Sequence, residues 1–294
     1  MTSLSPQDFA RLYEEQLVRQ TNLPPLPHTV QQLLVLKGSD TGDIRELAAI
    51  VDSDPLLAAQ MLRYGQSPLF GYGSRITSTE EVISLVLGYE PALFMALGMG
   101  VGKSLESPAE GVLGLEVLWR DGFYNAALCV ELARQMPAKD RPVPGLCHLS
   151  GLLHNIGFLL LGHLHPTRLR LISSQFEMDP SLGIIRLEKM MLGVSHDTSG
   201  AWLAKAWGLP DEVVTAILQH HNESYQGEHA AYAQLVNIAS HLLSEHGVSE
   251  MVIDLPSPKL LEALGLTSES VEQALASVLE GEGELARLAK SMIS

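Results

Sequence analysis

The sequence predicts an all-α fold, and three observations support this prediction. Apolar residues recur at the spacing of amphipathic helices, and Gly, Pro, Asn and Asp interrupt the pattern at points typical of helix ends. No run of alternating apolar and polar residues is long enough to indicate a sheet. Hydrophobic residues make up 46% and charged residues 18% of the 294 positions, which favours a large buried core over a disordered chain.

Helix starts can be assigned in the first third of the chain. The apolar spacing predicts an amphipathic helix over 6–20, followed by an extended segment over 23–27, because proline lacks a backbone donor and restricts the residue before it. Three more helices are predicted over 30–36, over 43–51 and from Pro55 with Asp54 as its N-cap, and a fourth follows the capping box of Ser78 and Glu81.

The apolar stretch over 82–102 contains a single charge, Glu90, and its length alone would allow it to cross a membrane. Residues 88–91, which include a glycine and a proline, interrupt it near the middle, and a buried carboxylate at that depth is costly. We therefore predict two buried helices joined by a tight turn, not a membrane span.

Helical periodicity continues through the rest of the chain. Residues 147–161 are predicted as one apolar helix interrupted at His154 and Asn155, and His163 and His165 are placed in the loop that follows. Further helices are predicted over 115–135, 180–192, 197–206 and 230–246. Another helix is predicted to end at His220 and His221, and two short helices are predicted from 258 and near 268.

The charge of the chain excludes some classes of function. The formal net charge is −15 and the pI is near 5.1, which argues against a protein that binds nucleic acid or an anionic membrane surface through clustered Lys and Arg. The two cysteines, Cys129 and Cys147, form no CxxC motif, and the first residues carry acids and no apolar leader. These features predict a cytoplasmic protein.

The placement of the histidines, of which the chain has 11, is the strongest chemical signal in the sequence. His154 is followed by asparagine in GLLHNIG, His196 lies in GVSHDTSG, and His220 and His221 form a doublet in AILQHHN. Neutral imidazoles are frequent ligands of Zn, Fe and Ni. Each histidine taken alone is equally compatible with an ordinary core or surface position.

Several segments together resemble the HDOD domain family. The N-terminal pattern is carried by LPPLPHTVQQLLVL, IVDSDPLLAAQMLRYGQSPLFG and ITSTEEVISLVLGYE, and the C-terminal half by GLLHNIGFLLL and LGVSHDTSGAWLAKAWGLPDEVVTAILQHHN. The resemblance covers about 23–246. It implies a bacterial, all-helical relative of the HD phosphohydrolases and of HD-GYP phosphodiesterases, acting as a signalling or scaffolding module usually without hydrolytic activity.

The resemblance also implies an HD-domain-like multi-helix architecture with two packed subdomains. Residues 106–114 are rich in small residues and proline, and we place a boundary there. The expected units are an N-terminal helical subdomain over 1–108, an HD-like helical subdomain over 109–250 and a C-terminal helical extension over 251–294.

Matched to the catalytic relatives, the histidines are retained. His154 is similar to the histidine of the HD pair, and His196, His220 and His221 match histidines of the HD-GYP pattern. In those enzymes a histidine and a neighbouring aspartate hold divalent ions that convert water to hydroxide.

Four other positions differ from the catalytic pattern. Asn155 stands where the aspartate of the HD pair would lie, Asp121 falls near an upstream histidine, Phe158 replaces a phosphate-contacting lysine, and Ser240 is close to a final aspartate. An asparagine offers a neutral carbonyl and cannot bridge two ions as a carboxylate can.

These matches predict a degenerate metal site without a bound cofactor. Its residues are Asp121, His154, Asn155, His196, His220 and His221. The alternative is a single divalent ion, such as Fe, Mn, Zn or Ni, held by the histidines with Asp121 as a fourth ligand.

The resulting functional prediction is a non-catalytic signal-transduction module. It would bind a protein partner of a bacterial signalling pathway, or a small ligand, in the cleft between its subdomains, with no nucleic acid and no membrane span; homodimer formation is left open. One alternative is a residual metal-dependent phosphohydrolase acting on a nucleotide or cyclic dinucleotide. Another is a metal or redox sensor whose subdomains shift on binding.

Overall fold

The computed structural model describes residues 25–39, 42–66, 75–102, 105, 111–248 and 257–291. These residues form helices and connecting turns, and no strand occurs among them. The predicted all-α fold is therefore confirmed. The helix predicted over 6–20 lies outside the described residues.

The first three described helices begin as their sequences require. They are α1 (His28–Lys37), α2 (Ile44–Asp52) and α3 (Pro55–Gly65). The Asp43 side chain caps α2 by accepting from the backbone N–H of Glu46 at 2.8 Å. Asp54 caps α3 by accepting from two backbone N–H groups, and proline occupies the first turn.

The apolar stretch over 82–102 forms two helices, as predicted. In α4, an α-helical turn (Thr79–Glu81) continues as a π-helix (Val82–Leu87), and Ser78 and Glu81 form the expected capping box. Gly88, at a φ of 84°, ends α4, and α5 (Tyr89–Gly102) begins at the next residue. The break is thus sharper than the predicted four-residue turn, because a glycine adopts this conformation without strain.

The central part of the chain contains eight helices among its described residues. After a 3₁₀ turn (Gly111–Leu113) come α6 (Leu115–Gln135), α7 (Pro144–Leu153), α8 (Ile156–Leu164), α9 (Pro166–Met178), α10 (Ile184–Leu192), α11 (His196–Ala206), α12 (Asp211–Gln219) and α13 (Ala230–Glu245). The predicted helix over 180–192 is divided, since Gly183 separates a 3₁₀ turn (Pro180–Leu182) from α10. His163 lies within α8, so its assignment to a loop was wrong, whereas His165 does lie between α8 and α9.

The C-terminal part has three described helices where two were predicted. They are α14 (Pro258–Ala263), α15 (Ser268–Glu280) and α16 (Glu282–Ser291). Both α15 and α16 pack against α6, and α16 also contacts α3. Residues 106–110 lie outside the described part, so the proposed boundary there stays a prediction.

Helices α6 and α7 form the centre of the core. They pack against each other, α7 also contacts α5 and α12, and α6 contacts α13. Among the described residues, one apolar stretch is long enough to span a membrane, Pro144–Leu164, with a mean hydropathy of 1.3. This stretch is completely buried inside the protein, as expected for helices of the core.

Two glycines bring α8 and α11 into backbone contact. A Cβ atom at Gly157 would lie 1.9 Å from the carbonyl oxygen of His196, and one at Gly200 would lie 2.9 Å from the backbone nitrogen of Gly157. Any side chain at Gly157 would therefore force the two helices apart. This contact places the first turn of α11, with His196, beside α8.

We predict that Gly157→Ala destabilises the protein by about 3 kcal/mol or more, because the added methyl group overlaps the backbone of α11. Gly283→Ala is the matched control, since Gly283 is an exposed position in α16 with no atom within 4 Å of its added Cβ. The control should be neutral or stabilising by up to about 1 kcal/mol. Urea denaturation measures both, and a Gly157→Ala protein as stable as wild type would contradict the close contact.

Candidate functional site

Asp121, His154 and Asn155, three of the predicted site residues, lie together in the core. Asp121 lies on α6, and the other two residues join α7 to α8. The side-chain amide of Asn155 donates to Asp121 Oδ2 at 2.7 Å, and His154 Nε2 lies 3.2 Å from the same oxygen. All three side chains are buried, and Asp121 Oδ1 has no hydrogen-bond partner among the described residues.

His154 is oriented by the backbone. Its Nδ1 lies 2.7 Å from the carbonyl oxygen of Gly151, which can only accept, so Nδ1 carries a proton. Nε2 then faces Asp121. This second contact is attractive when Nε2 is also protonated or when a cation lies between the two groups.

His196, His220 and His221 form a second group next to the first. Their candidate ligand atoms all lie within 4.8 Å of one another, and the Nε2 atoms of His196 and His221 are 3.0 Å apart. His220 donates from Nδ1 to the carbonyl oxygen of Ile217 at 2.7 Å, and its buried Nε2 has no described partner. The rings of His154 and His220 are 5.2 Å apart. The six predicted residues therefore form one cluster, called the histidine cluster below.

Glu188, on α10, is part of this site and was missed in the sequence. Its side chain is completely buried, and Oε2 accepts from both the backbone N–H of His196, at 3.2 Å, and the ring Nδ1, at 2.9 Å. The carboxylate thereby directs His196 Nε2 toward His221. The available signal was its position four residues from both Ile184 and Leu192, on the buried face of an amphipathic helix.

Burial and neighbouring charges shift the pKa values of the clustered histidines in opposite directions. Burial alone lowers the pKa of His196, but nearby carboxylates, chiefly Glu188, outweigh it and the net pKa is raised. Burial raises the pKa of Glu188 despite the opposing effect of His196. Burial and adjacent imidazoles hold the pKa of His220 well below its usual value and lower that of His221 to about 3. His196 can then donate from Nε2 to a neutral His221.

Two further predicted differences from the catalytic pattern have structural roles. The Phe158 ring stacks on His196 with centroids 4.0 Å apart and planes inclined by 14°. Ser240 accepts from the amide of Asn125 at 2.8 Å, and Asn125 in turn accepts from the thiol of Cys129 at 3.2 Å. Asn125 was not singled out in the sequence, and it ties α6 to α13.

The donor set fits one divalent ion better than two. His220 Nε2 and Asp121 Oδ1 are buried without a described partner, and the three-histidine group has the nitrogen donors that Zn, Fe or Ni prefer. A two-ion centre requires a bridging carboxylate, and position 155 instead carries an amide that donates to Asp121. An ion at His196 and His221 would have to displace the proton between their Nε2 atoms.

Comparisons with known proteins agree with this architecture. The model of the HDOD domain matches residues 23–223, which confirms the resemblance. A crystal structure from Marinobacter aquaeolei VT8, named for signal transduction, has a TM-score of 0.85 and 29% identity over 98% of this chain and 66% of that one. One from Shewanella amazonensis SB2B, named for a phosphohydrolase, has a TM-score of 0.73 and 20% identity, covering 95% and 97% of the two chains.

An uncharacterized protein of Treponema pallidum (strain Nichols) is 24% identical over 204 residues, which are 68% of this chain and 38% of that protein. The chain thus spans less than two thirds of the length of the Treponema relative and of the Marinobacter protein.

We predict that the folded protein loses stability as the pH falls from about 7 to about 5. The pKa values of His220, His221 and the separate buried His148 are all lowered, that of His148 to about 4. The unfolded chain takes up protons near the ordinary value of 6.5 while these folded side chains stay neutral, so each destabilises by on the order of 1–2 kcal/mol.

The raised pKa values of His196 and Glu188 act in the opposite direction, because the stability they provide is lost as the pH rises. The pKa of His165 is also lowered by its partial burial, so four histidines oppose two groups and the net effect favours loss of stability in acid. Urea unfolding at pH 7 and pH 5 measures the loss of free energy of unfolding. His148→Gln should reduce this loss by the contribution of one histidine. An unchanged free energy of unfolding would contradict this prediction.

Proposed function

This chain belongs to the HDOD family, and from that membership we propose that it is a non-catalytic signalling module that acts by binding. The family and the signal-transduction name of the Marinobacter structure support a signalling role. The absence of catalysis, the mode of binding and the partner are our proposals. The partner is a protein of a bacterial signalling pathway or a small ligand.

The hydrogen bond from Asn155 to Asp121 is the observation that supports the non-catalytic proposal most strongly. Metal-dependent hydrolysis requires a bound ion that lowers the pKa of water, and two-ion sites use carboxylates to hold both ions. Here the amide occupies Asp121 Oδ2 at 2.7 Å and adds no charge. The amide thereby satisfies Asp121 Oδ2 without an ion, while Oδ1 has no described partner.

Phe158 supports the same proposal. Its ring covers one face of His196 at a centroid distance of 4.0 Å. An aromatic ring in this position excludes water from that face and offers no positive charge to a phosphate group. A substrate phosphodiester would find neither a cation nor an open approach on this side of the cluster.

The net charge directs the choice of partner. At −15, the chain repels polyanions at long range, so we propose a protein or neutral ligand and no nucleic acid. A cytoplasmic location fits the two buried free thiols, Cys129 and Cys147. A homodimer remains an open alternative to a different protein partner.

A second candidate function is a metal-dependent phosphohydrolase or a metal sensor. The observation that favours it is the three-histidine group, whose donors lie within 4.8 Å of one another. A single bound ion would supply Lewis acidity and an activated water. The candidate ligands are His154, His196, His220 and His221, with Asp121 as a further one. An ion-dependent change of hydrodynamic radius would favour the sensor.

We predict that the protein supplied with Mn²⁺, Fe²⁺, Zn²⁺ or Ni²⁺ hydrolyses neither bis(p-nitrophenyl) phosphate nor cyclic dinucleotides. Its rate should equal that of the His154→Ala/His221→Ala double variant, because no carboxylate at position 155 holds a second ion. Nitrophenolate absorbance and nucleotide chromatography measure the two reactions. Metal-dependent turnover that the double variant loses would overturn the proposal and favour the second candidate.

Asn155→Asp is the matched gain-of-charge variant in this assay. It places a carboxylate where the amide now donates, so two buried acids face each other and the variant should bind divalent ions more tightly than wild type. Calorimetric titration measures the difference.

A pull-down that recovers no saturable partner, together with no ligand in the cleft, would count against the binding role.

A further inference from the structure

A cavity of about 480 Å³ lies between the N-terminal, central and C-terminal helices, called the three parts of the fold below, and no residue of the histidine cluster lines it. Its walls come from α3, α4 and α5, from the central α6 and α7, and from the C-terminal α15 and α16. Apolar side chains such as Met95, Val130 and Leu285 form much of the lining. Small-molecule sites typically have volumes of about 300–1,000 Å³ and similar apolar walls.

His148 supplies a polar group to this cavity. The residue is 7% exposed, and its Nδ1 has no hydrogen-bond partner among the described residues. The Tyr64 ring, which also lines the cavity, meets the imidazole edge-on with centroids 6.2 Å apart. A buried imidazole nitrogen without a partner is costly, and a ligand with one hydrogen-bonding group would offset that cost.

The described lining carries no net charge. Glu131 and Arg134, one turn apart on α6, form an ion pair that cancels their charges. Burial lowers the pKa of His148 to about 4 and raises that of Tyr64 well above its usual value, so both are neutral near pH 7. The whole chain carries −15, which further disfavours an anion.

We propose that this cavity binds an uncharged, mainly apolar organic molecule of aromatic character, whose single hydrogen-bonding group meets His148. The inference rests on the proposed binding function and specifies its ligand. Seven helices wall the cavity, which suits a compact molecule better than a peptide segment. A bound molecule would touch all three parts of the fold at once and stabilise one arrangement of them.

The test uses Nile red, a neutral apolar dye, on the full chain. The dye should bind saturably with increased fluorescence, and 2-naphthol should displace it. Naphthalene, which lacks the hydroxyl, should displace it about tenfold less well. In His148→Phe the difference between naphthol and naphthalene should disappear, because the ring volume is kept and the polar partner is lost.

Variants that fill the cavity locate the binding. Ala127→Phe, on the α6 wall, should abolish saturable displacement, and Ser277→Trp, on the exposed rim, provides the same test if the first variant does not fold. Ala263→Phe, on the exposed face of α14, is the matched control and should behave as wild type. Equal naphthol binding in the filled and control variants would overturn the site.

The charge class is tested with 2-naphthoate, which has the same rings and an anionic group. Displacement by naphthoate as strong as by naphthol would overturn the proposed uncharged ligand. These readouts do not depend on turnover, so hydrolytic activity at the histidine cluster would refute the non-catalytic proposal and leave the cavity result standing. Absence of naphthol binding in a protein without turnover would refute the cavity alone.

Discussion

The buried hydrogen bond between Asn155 and Asp121 is the interaction on which the chemistry of this molecule depends. It joins α6 to the junction of α7 and α8, and it uses a carboxylate oxygen that also faces His154. An amide can donate to a buried carboxylate, whereas two carboxylates facing each other there would need a proton or a cation between them. The group at position 155 therefore determines whether Asp121 faces an amide donor or a second carboxylate.

The sequence predicted the helical fold because helix ends depend on local signals, and it predicted the composition of the histidine cluster through the resemblance to the HDOD family. Asp54 and Ser78 are residue types that favour helix N-caps, and the His220–His221 doublet is an unusual pair at a helix end. The role of Glu188 could not be predicted, since its contact with His196 depends on how α10 packs beside α11. The division of the predicted helix at Gly183 was missed because the backbone conformation of this one residue ends the helical periodicity. The position of His163 inside α8 was missed because the helix end is set by packing as well as by the local sequence.

Packing explains how a polar cluster can persist inside so apolar a chain. The backbone contact at Gly157 fixes α11 against α8, Phe158 covers His196, and Asn237 donates from its side-chain amide to the carbonyl oxygen of His220 at 2.7 Å. Each contact limits the freedom of an imidazole. The cluster thus behaves as part of the core, while the separate cavity is lined by His148, whose buried Nδ1 has no described partner.

Elemental analysis of protein purified without a histidine tag or chelator shows whether hydrogen bonds, and not an ion, hold the histidine cluster together. Wild type is compared with the His154→Ala/His221→Ala double variant. We expect no stoichiometric Fe, Mn, Zn or Ni in either protein. Near-stoichiometric metal in wild type that is lost in the double variant would contradict it.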